Sequence, residues 1–164
     1  MKQKEIELLE LLEENARINI ESIAKMIDVS VEETKKMIEK LENDNAILGY
    51  STIINWSKVL ESEEVTAMID VKVTPARGVG FDKVAERIYR FPEVKAVYLM
   101  SGAYDLSVSV EGKTMMEISR FVSEKLSTLD TVISTTTHFV LKKYKHDGVI
   151  FDDGEDDKRI MVTP

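Results

Sequence analysis

The sequence has no cysteine, and only three prolines, seven glycines and one tryptophan among its 164 residues. The lack of cysteine excludes disulfides, thiolate nucleophiles, zinc fingers and thiol redox sensing, and it fits a reducing compartment. No apolar run approaches the roughly 20 residues that a membrane span requires. The N-terminal stretch MKQKEIELLEL is charged and amphipathic rather than signal-like. These absences predict a soluble, cytoplasmic protein.

Negative charge, by contrast, is in excess. There are 30 acidic against 22 basic residues, for a net charge of −8, which argues against a general polyanion binder but leaves room for a few cations on one face. The excess is uneven, because residues 1–50 carry −5, residues 51–150 are balanced and residues 151–164 carry −3. With 43% hydrophobic residues the chain is expected to fold, as two different halves followed by an acidic tail.

The first 50 residues have the periodicity of short helices. Apolar residues from Ile6 to Leu12 recur at helical spacing, and Asn15-Ala16-Arg17 interrupts the pattern. Asn19 is a plausible N-cap for a second helix that carries Ile20, Ile23, Ala24 and Ile27 on its apolar side.

A capping box marks the third helix. Ser30 and Glu33 form an S-x-x-E pattern, so this helix should begin at Ser30, bury Thr34 and Leu41, and end near residues 43–45. A short strand, Ala46 to Ile54, is expected to follow. Two short helices joined by a tight turn are typical of a helix-turn-helix, although small helical bundles share this spacing.

The second segment alternates between strand and helix periods. The expected elements are the strand Val65–Val73, a helix Phe81–Arg90, the strands Val94–Met100 and Tyr104–Glu111, a helix capped by Thr114 and Glu117 that buries Met115, Ile118, Phe121, Val122 and Leu126, and the strand Thr131–Lys142. This βαββαβ order is ferredoxin-like. Because its helices cover one sheet face only, we expect a second copy to cover the other.

We therefore divide the chain into a helix-turn-helix domain (1–50), a linker (51–63), a ferredoxin-like ligand-binding and oligomerisation domain (64–145) and an acidic C-terminal extension (146–164). In this extension Val149-Ile150-Phe151 and Ile160-Met161-Val162 flank an acidic run, which indicates either a terminal hairpin or a solvated tail.

Support for catalysis is slight. His138 lies on a predicted strand and His146 in a charged loop, without the H-x-x-x-H spacing of a metal site. Gly78-Val79-Gly80 lacks the third glycine of a dinucleotide fingerprint. We expect neither enzyme activity nor a cofactor nor a metal.

Several positions carry a family resemblance. The N-terminal segment is similar to the winged helix-turn-helix of the Lrp/AsnC (feast/famine) transcriptional regulators at Asn15-Ala16-Arg17, Ile23-Ala24, Val29-Ser30, Leu41-Glu42, Ile47 and Gly49-Tyr50. The run Gly102-Ala103-Tyr104-Asp105-Leu106 resembles the effector-loop motif of that family's amino-acid-sensing domain. In three places the sequence departs from the family pattern: Met37 replaces a common arginine, Glu39 stands where relatives are often basic, and Asn45 replaces a glycine.

The resemblance spans residues 4 to 145 and implies an α+β fold, in which a winged helix-turn-helix precedes a ferredoxin-like effector-binding domain. It implies a DNA-binding transcriptional regulator that forms homodimers and higher oligomers and binds an amino acid between protomers. Haem-modifying decarboxylases related to this family leave an enzyme alternative at His138. A sensing module whose helix-turn-helix no longer binds DNA is the main alternative, because residues 1–50 are acidic.

Two candidate sites follow. Double-stranded DNA should meet the third helix, where lysines reach phosphates or bases and a glutamate accepts from a cytosine amino group, and Arg17 just before the second helix. The residues are Arg17, Ser30, Glu32, Glu33, Lys35, Lys36 and Lys40. The alternatives are a solvated helix face with an i,i+4 pair of Glu32 and Lys36, and an Arg17 that caps the first helix through a carbonyl. A zwitterionic effector needs an acceptor, donors and an apolar wall; the candidates are Leu99, Met100, Ser101, Gly102, Tyr104, Asp105, Thr135, Thr136 and Thr137. An ordinary hairpin turn capped by Asp105 is the alternative for the second site.

Overall fold

The computed structural model describes residues 2–59, 64–74 and 80–151. The chain divides into two compact units, Met1–Ile54 and Asn55–Pro164. Their boundary lies within the predicted linker. Part of that linker (60–63), the segment 75–79 and the acidic end of the chain (152–164) lie outside the described residues.

Three helices form the first unit: α1 (Lys2–Glu14), α2 (Ile20–Met26) and α3 (Val31–Asn43). Leu8, Ile23, Ile27 and Leu41 are buried together, one cluster built from all three helices. Asn19 caps α2 by accepting from the Ser22 amide at 2.7 Å. The predicted helices and this cap are confirmed.

Two residues with positive φ shape the turns of this unit. Asp28, at φ 51°, lies between α2 and α3, and Asn45, at φ 56°, follows α3. Asn tolerates this left-handed conformation, which explains how Asn45 can replace the family's glycine. The predicted strand Ala46–Ile54 is wrong, since these residues have no strand assignment. An extended segment becomes a strand only when a neighbouring strand satisfies its amides and carbonyls, and no described strand pairs with this one.

The second unit is the expected ferredoxin-like βαββαβ domain. A short 3-10 helix (Trp56–Lys58) precedes β1 (Val65–Val73), α4 (Asp82–Tyr89), β2 (Val94–Leu99), β3 (Leu106–Gly112), α5 (Met115–Phe121) and β4 (Val132–Phe139). The antiparallel sheet has the strand order β2-β3-β1-β4. In β1, Ala67, Ile69, Val71 and Val73 are buried, as their alternation predicts.

In the part of the chain that the structure describes, helices cover one face of the sheet only. Val84 and Ile88 of α4 and Ile118 and Phe121 of α5 pack in one cluster with the buried side of β1 and β3. The other face, which we call the open face, carries the alternate residues of each strand. Register places Asp70 between Ser107 and Thr136, and Met68 between Ser109 and His138. The open face is therefore mainly polar.

Three details of the second unit differ from the sequence prediction. Met115, expected in the core, is 52% exposed, because Thr114 begins the helix and places its first residue outward. After Phe121 the helix continues as one π turn, Val122–Leu126. Strand β3 begins at Leu106 rather than Tyr104, and β4 ends at Phe139 rather than Lys142.

A small hairpin ends the described chain. Strands β5 (Lys145–His146) and β6 (Val149–Ile150) pair around Asp147 and Gly148, which have φ values of 43° and 80°. Two consecutive positive φ values are the signature of a two-residue type I′ turn. Val149 thus pairs with His146, and the partner predicted for it at 160–162 lies outside the described residues.

Candidate DNA interface and effector loop

The start of α3 is held by a complete capping box. The Ser30 hydroxyl accepts from the Glu33 amide at 3.2 Å, and the Glu33 carboxylate accepts from the Ser30 amide at 3.0 Å and from its hydroxyl at 2.7 Å. These hydrogen bonds from Ser30 hold the pKa of Glu33 below its usual value. Ser30 and Glu33, both predicted DNA contacts, therefore fix the helix terminus, and both of these hydrogen bonds to the Glu33 carboxylate go to its Oε2.

Lys40, another predicted DNA contact, is tied to the first helix. Its Nζ lies 2.8 Å from Oε1 of Glu5 on α1. The hydrogen bond from Lys40 lowers the pKa of Glu5, and the same bond raises the pKa of Lys40. This pair fastens α3 to α1 and takes one of the three predicted lysines away from a free, DNA-facing position.

The outer face of α3 keeps the remaining predicted contacts. Lys35, Lys36 and Glu32 are exposed, on the side of the helix turned away from buried Thr34 and Leu41. Lys36 and Glu32 form an exposed i,i+4 pair at 3.8 Å, which is too loose to immobilise either side chain. Arg17, the remaining predicted contact, is exposed in the turn before α2.

Lys4 is a structural residue that sequence reasoning missed. Its Nζ donates to the carbonyl oxygens of Ile27 and Asp28, each at 2.7 Å. These carbonyls lie at the C-terminal end of α2, where a cation is favoured, and in the turn that leads to α3. Ile27 and Asp28 lie 23 and 24 residues after Lys4 in the sequence, so no short-range pattern could have indicated the contact.

In the second unit, residues 100–105 connect β2 to β3. We call them the effector loop. One oxygen of Asp105, Oδ2, accepts from the Val73 amide at 2.9 Å, and the Asp105 amide donates to the Val71 carbonyl at 3.1 Å. Lys72 Nζ donates to the Ala103 carbonyl at 3.2 Å. The loop is thus fixed to the end of β1.

The other carboxylate oxygen of Asp105 makes no hydrogen bond with any described residue. It is therefore an available acceptor beside Gly102, where an added Cβ would meet no atom within 4 Å. The hairpin-cap alternative and the effector alternative are both compatible with this geometry, because one oxygen serves the backbone while the other remains free.

The structure brings only some of the predicted effector residues together. Tyr104 reaches across the sheet, and its hydroxyl lies 2.7 Å from Oγ1 of Thr136. Thr135 and Thr137 pair with the buried residues Val71 and Ile69, so they lie on the helix side, away from Tyr104. Met100, Ser101 and Gly102 are exposed within the loop, and Leu99 is exposed at the end of β2 just before it.

His138 shares the open face with Thr136. Its Nε2 lies 3.2 Å from Oδ2 of Asp70, so the ring already has a carboxylate partner. Among the described residues there is no group of three or more His, Cys, Asp or Glu placed to hold a metal ion. None of the described helices is both long and apolar enough to span a membrane.

Comparison with known proteins identifies both units. Residues 66–150 match the model of the Lrp/AsnC ligand-binding domain, and residues 1–47 match that of a winged helix-turn-helix DNA-binding domain. The chain belongs to the Lrp/AsnC family. It is 64% identical to the HTH-type transcriptional regulator YugG of Bacillus subtilis over 162 residues, 99% of this chain and 98% of that one.

Two more distant matches are a regulator from an archaeon of the genus Pyrococcus and a solved bacterial structure. An HTH-type transcriptional regulator of Pyrococcus furiosus is 34% identical over 140 residues, 85% of this chain and 90% of that protein. A transcriptional regulator of Neisseria meningitidis, solved in complex with L-methionine, has the same fold, with a TM-score of 0.70 and 23% identity over 89% of this chain and 93% of that one. This chain is thus a transcriptional regulator of the Lrp/AsnC type, with a helix-turn-helix and a ligand-binding domain.

Proposed function

We propose that this Lrp/AsnC regulator binds specific double-stranded DNA through the outer face of α3 and responds to an amino acid at the effector loop. The observation that carries the first half is the capped, exposed α3, whose start is fixed by Ser30 and Glu33 while Lys35, Lys36 and Glu32 face solvent. Lysines in this position contact phosphates, and Glu32 is placed to accept from a cytosine amino group.

The free oxygen of Asp105 supports the second half of the proposal. A zwitterion requires an acceptor for its ammonium group, and this oxygen is available beside the unobstructed backbone of Gly102. Met100 is exposed in the same loop and supplies an apolar wall, whereas Leu99 pairs with buried Leu106 and lies on the helix side of the sheet. L-methionine, which is present in the structure of the Neisseria regulator, is a zwitterion of this kind.

Homo-oligomerisation completes the proposal. The open face carries hydroxyl groups, including Ser107, Ser109 and Thr136, and the Asp70–His138 pair, so a second copy would meet it through hydrogen bonds as much as through apolar contact. In homodimers and larger assemblies, several acidic helix-turn-helix units bind the same DNA, so that their weak contacts with it add up.

A mobility-shift titration against the DNA upstream of the protein's own gene tests DNA binding. We expect specific retardation that weakens steeply from low to high salt. If no retardation occurs even at low salt, the chain is a sensing module whose helix-turn-helix does not bind DNA.

A thermal-shift screen of the twenty amino acids tests the effector. We expect at least one to raise the melting temperature of the wild type and not of the Asp105→Ala variant. An equal rise in both proteins would contradict the assignment to the effector loop.

A further inference from the structure

The hairpin at the end of the described chain and the residues that lead into it carry a dense positive charge. Lys142, Lys143 and Lys145 lie within four residues, and no other four-residue stretch of the sequence holds three basic side chains. Asp147 is the one carboxylate in residues 142–150, so this segment, which we call the basic hairpin, has a net charge of +2 with histidine neutral. Neither of the sites proposed above includes these residues.

The cations of the basic hairpin are available to a partner. Lys143 and Lys145 are exposed, and the structure shows no ion pair between any of the three lysines and a carboxylate of the described residues. The Lys142 ammonium lies 5.2 Å from the centroid of the Tyr144 ring, a cation–π contact that neutralises no charge. The lysines therefore differ from Lys40 of α3, which is already paired with a carboxylate.

The backbone presents the lysines on both faces of a narrow ribbon. Lys145 and His146 are consecutive residues of β5, so their side chains point to opposite faces. The Phe151 amide donates to the Tyr144 carbonyl at 3.0 Å and extends the pairing by one residue. By alternation the Tyr144 ring lies on the face of His146, and Lys142 lies over that ring. Lysines thus lie on both faces, and their long, flexible stems let them reach separate phosphates.

The composition of the basic hairpin favours a polyanion whose sequence is not read. Residues 142–150 contain no arginine, asparagine or glutamine, the side chains that read base edges by paired hydrogen bonds. Lysine binds phosphate as a point charge, and double-stranded DNA carries one negative charge per roughly 1.7 Å of its axis. Each lysine that meets a phosphate releases counterions from the duplex, so three lysines together make a large, salt-dependent contribution to affinity.

The sequence also contains a competing anion. Five carboxylates lie in residues 152–157, directly after the basic hairpin and outside the described part of the chain. Double-stranded DNA is the stronger partner, because its phosphates form a dense line of charge and its counterions are released on binding. The helix-turn-helix domain also brings the chain to DNA. The acidic run therefore enters the test as the rival partner of the lysines.

We propose that the basic hairpin is a second contact with DNA, independent of base sequence, in which Lys142, Lys143 and Lys145 meet phosphates. This proposal rests on the DNA binding proposed above, although not on α3 as the binding element. It makes the ligand-binding domain a direct contributor to DNA affinity, in addition to the roles proposed for it above.

The salt dependence of DNA binding tests these contacts in the full-length chain. The test variant replaces all three lysines: Lys142→Gln/Lys143→Gln/Lys145→Gln. Its slope of log affinity against log salt should be shallower than that of the wild type by about 2.7 per bound protomer, because each phosphate contact contributes about 0.9. The fold loss of affinity should be the same for the DNA upstream of the gene and for an unrelated duplex of equal length, because phosphates carry no sequence information. A loss confined to one of the two duplexes would contradict a phosphate contact.

A matched variant controls for net charge. Lys83→Gln/Arg87→Gln/Lys113→Gln removes three exposed cations from the same unit and leaves the basic hairpin intact. It should keep the wild-type slope. An unchanged slope in the hairpin variant would overturn the proposal. An equal change in the control would also overturn it, because net charge alone would then set the affinity.

Lysine footprinting of the wild-type protein needs no substitution. Reductive methylation modifies accessible lysine amines, and mass spectrometry measures its extent at each position. Bound duplex should slow the methylation of Lys143 and Lys145 several-fold, whereas Lys83 and Lys113 should react at the same rate with and without DNA. Equal rates at Lys143 and Lys145 in free and DNA-bound protein would overturn the proposal.

The same footprint separates this proposal from the role of α3. If DNA protects the hairpin lysines but not Lys35 and Lys36, the basic hairpin is a DNA contact and α3 is not. If DNA protects Lys35 and Lys36 but not the hairpin lysines, the hairpin proposal alone is wrong.

Neutralising the acidic run tests the rival partner. The variant is Asp152→Asn/Asp153→Asn/Glu155→Gln/Asp156→Asn/Asp157→Asn. Under the proposal, DNA still protects Lys143 and Lys145 from methylation in this variant. If both lysines become more reactive in the variant and added DNA does not slow their methylation, the acidic run is their partner and the DNA proposal is wrong.

Discussion

Asp105 illustrates at the scale of one residue how the same side chain can serve the fold and a ligand. Its Oδ2 accepts from the Val73 amide, and its other oxygen is free of described partners. From the sequence, the effector and hairpin-cap alternatives were not distinguishable, because both require an acceptor after a glycine turn. The structure shows that Oδ2 holds the backbone of β1, which leaves the other oxygen for the effector role that we propose.

The Asp105→Asn variant should separate these roles. Its amide oxygen can still accept from Val73, so hydrogen exchange at the Val73 amide should remain slow, while the lost charge abolishes the effector-induced rise in melting temperature. Asp105→Ala should lose both. If Asp105→Asn still responds to the effector as the wild type does, the carboxylate charge is not what binds the ligand.

Glu33 gives a pH dependence whose sign is fixed by its hydrogen bonds. Because Ser30 lowers the folded-state pKa of Glu33, its stabilisation is present above the ordinary glutamate value and disappears as pH falls through the lowered value. We expect Glu33→Gln to be less stable than the wild type near neutral pH, and the difference to shrink toward about pH 3.

Chemical denaturation between neutral pH and acid measures this difference. Adding Ser30→Ala provides the control, since without the hydroxyl that donates to Glu33 the effect of Glu33→Gln should become smaller at every pH. A difference between Glu33→Gln and wild type that does not change with pH would contradict the linkage.

At the scale of the elements, the helix-turn-helix is held together by a residue outside it. Lys4 on α1 bridges the end of α2 and the turn before α3 through two carbonyls. We expect Lys4→Gln to lower the free energy of unfolding of the first unit by about 1 kcal/mol and to weaken DNA binding by loosening α3. Lys25→Gln, an exposed substitution on α2 with no described partner, is the matched control and should leave stability unchanged. Equal effects of the two substitutions would show that the bridge contributes nothing.

Sequence patterns predicted the elements that local signals define. They failed where contacts with residues far away in the sequence determine the structure. Caps at Asn19, Ser30 and Thr114 fixed the three helix starts correctly, because their hydrogen bonds span only three residues. Residues 46–54 have the composition of a strand, but no described strand pairs with them, so the strand predicted from their composition does not form. Asp-Gly at residues 147–148 is a strong local hairpin signal, and the two residues form a turn with positive φ values that the predicted pairing with residues 160–162 does not include.

The candidate sites show the same division. The exposed face of α3 was predictable from helical periodicity, whereas the pairing of Lys40 with Glu5, 35 residues away, was not. Thr135, Thr136 and Thr137 read alike in sequence, but strand alternation places only Thr136 beside Tyr104. The register of β4 against β1 is a tertiary property, and it decides which threonine side chain lies on the same face as Tyr104.

At the scale of the whole molecule, oligomerisation should depend on the open face. Ser109 lies on it, opposite Met68 and Ala96, and is half-buried. Ser109→Arg should place a charge in the interface and shift the assembly toward the 18.6 kDa monomer in light scattering. Lys83→Gln, on an exposed position of α4, is the control and should keep the wild-type mass. An unchanged mass for Ser109→Arg would place the interface elsewhere.

The net negative charge of the chain does not exclude DNA binding, because cations remain available on the outer face of α3. Of the three lysines on α3, Lys40 is paired with Glu5, and Lys35 and Lys36 stay on the outer face. Few cations per protomer predict weak, strongly salt-sensitive binding that relies on several protomers.

The most direct measurement is the salt dependence of binding to the DNA upstream of the protein's own gene, by fluorescence anisotropy, for wild type and Lys35→Gln/Lys36→Gln. If both lysines contact phosphates, the slope of log affinity against log salt should become shallower by about 1.8 per bound protomer. Lys83→Gln/Lys113→Gln, which removes the same charge from the second unit, should keep the wild-type slope. A Lys35→Gln/Lys36→Gln protein that binds with unchanged affinity and slope would contradict the assignment of α3 as the DNA-binding helix.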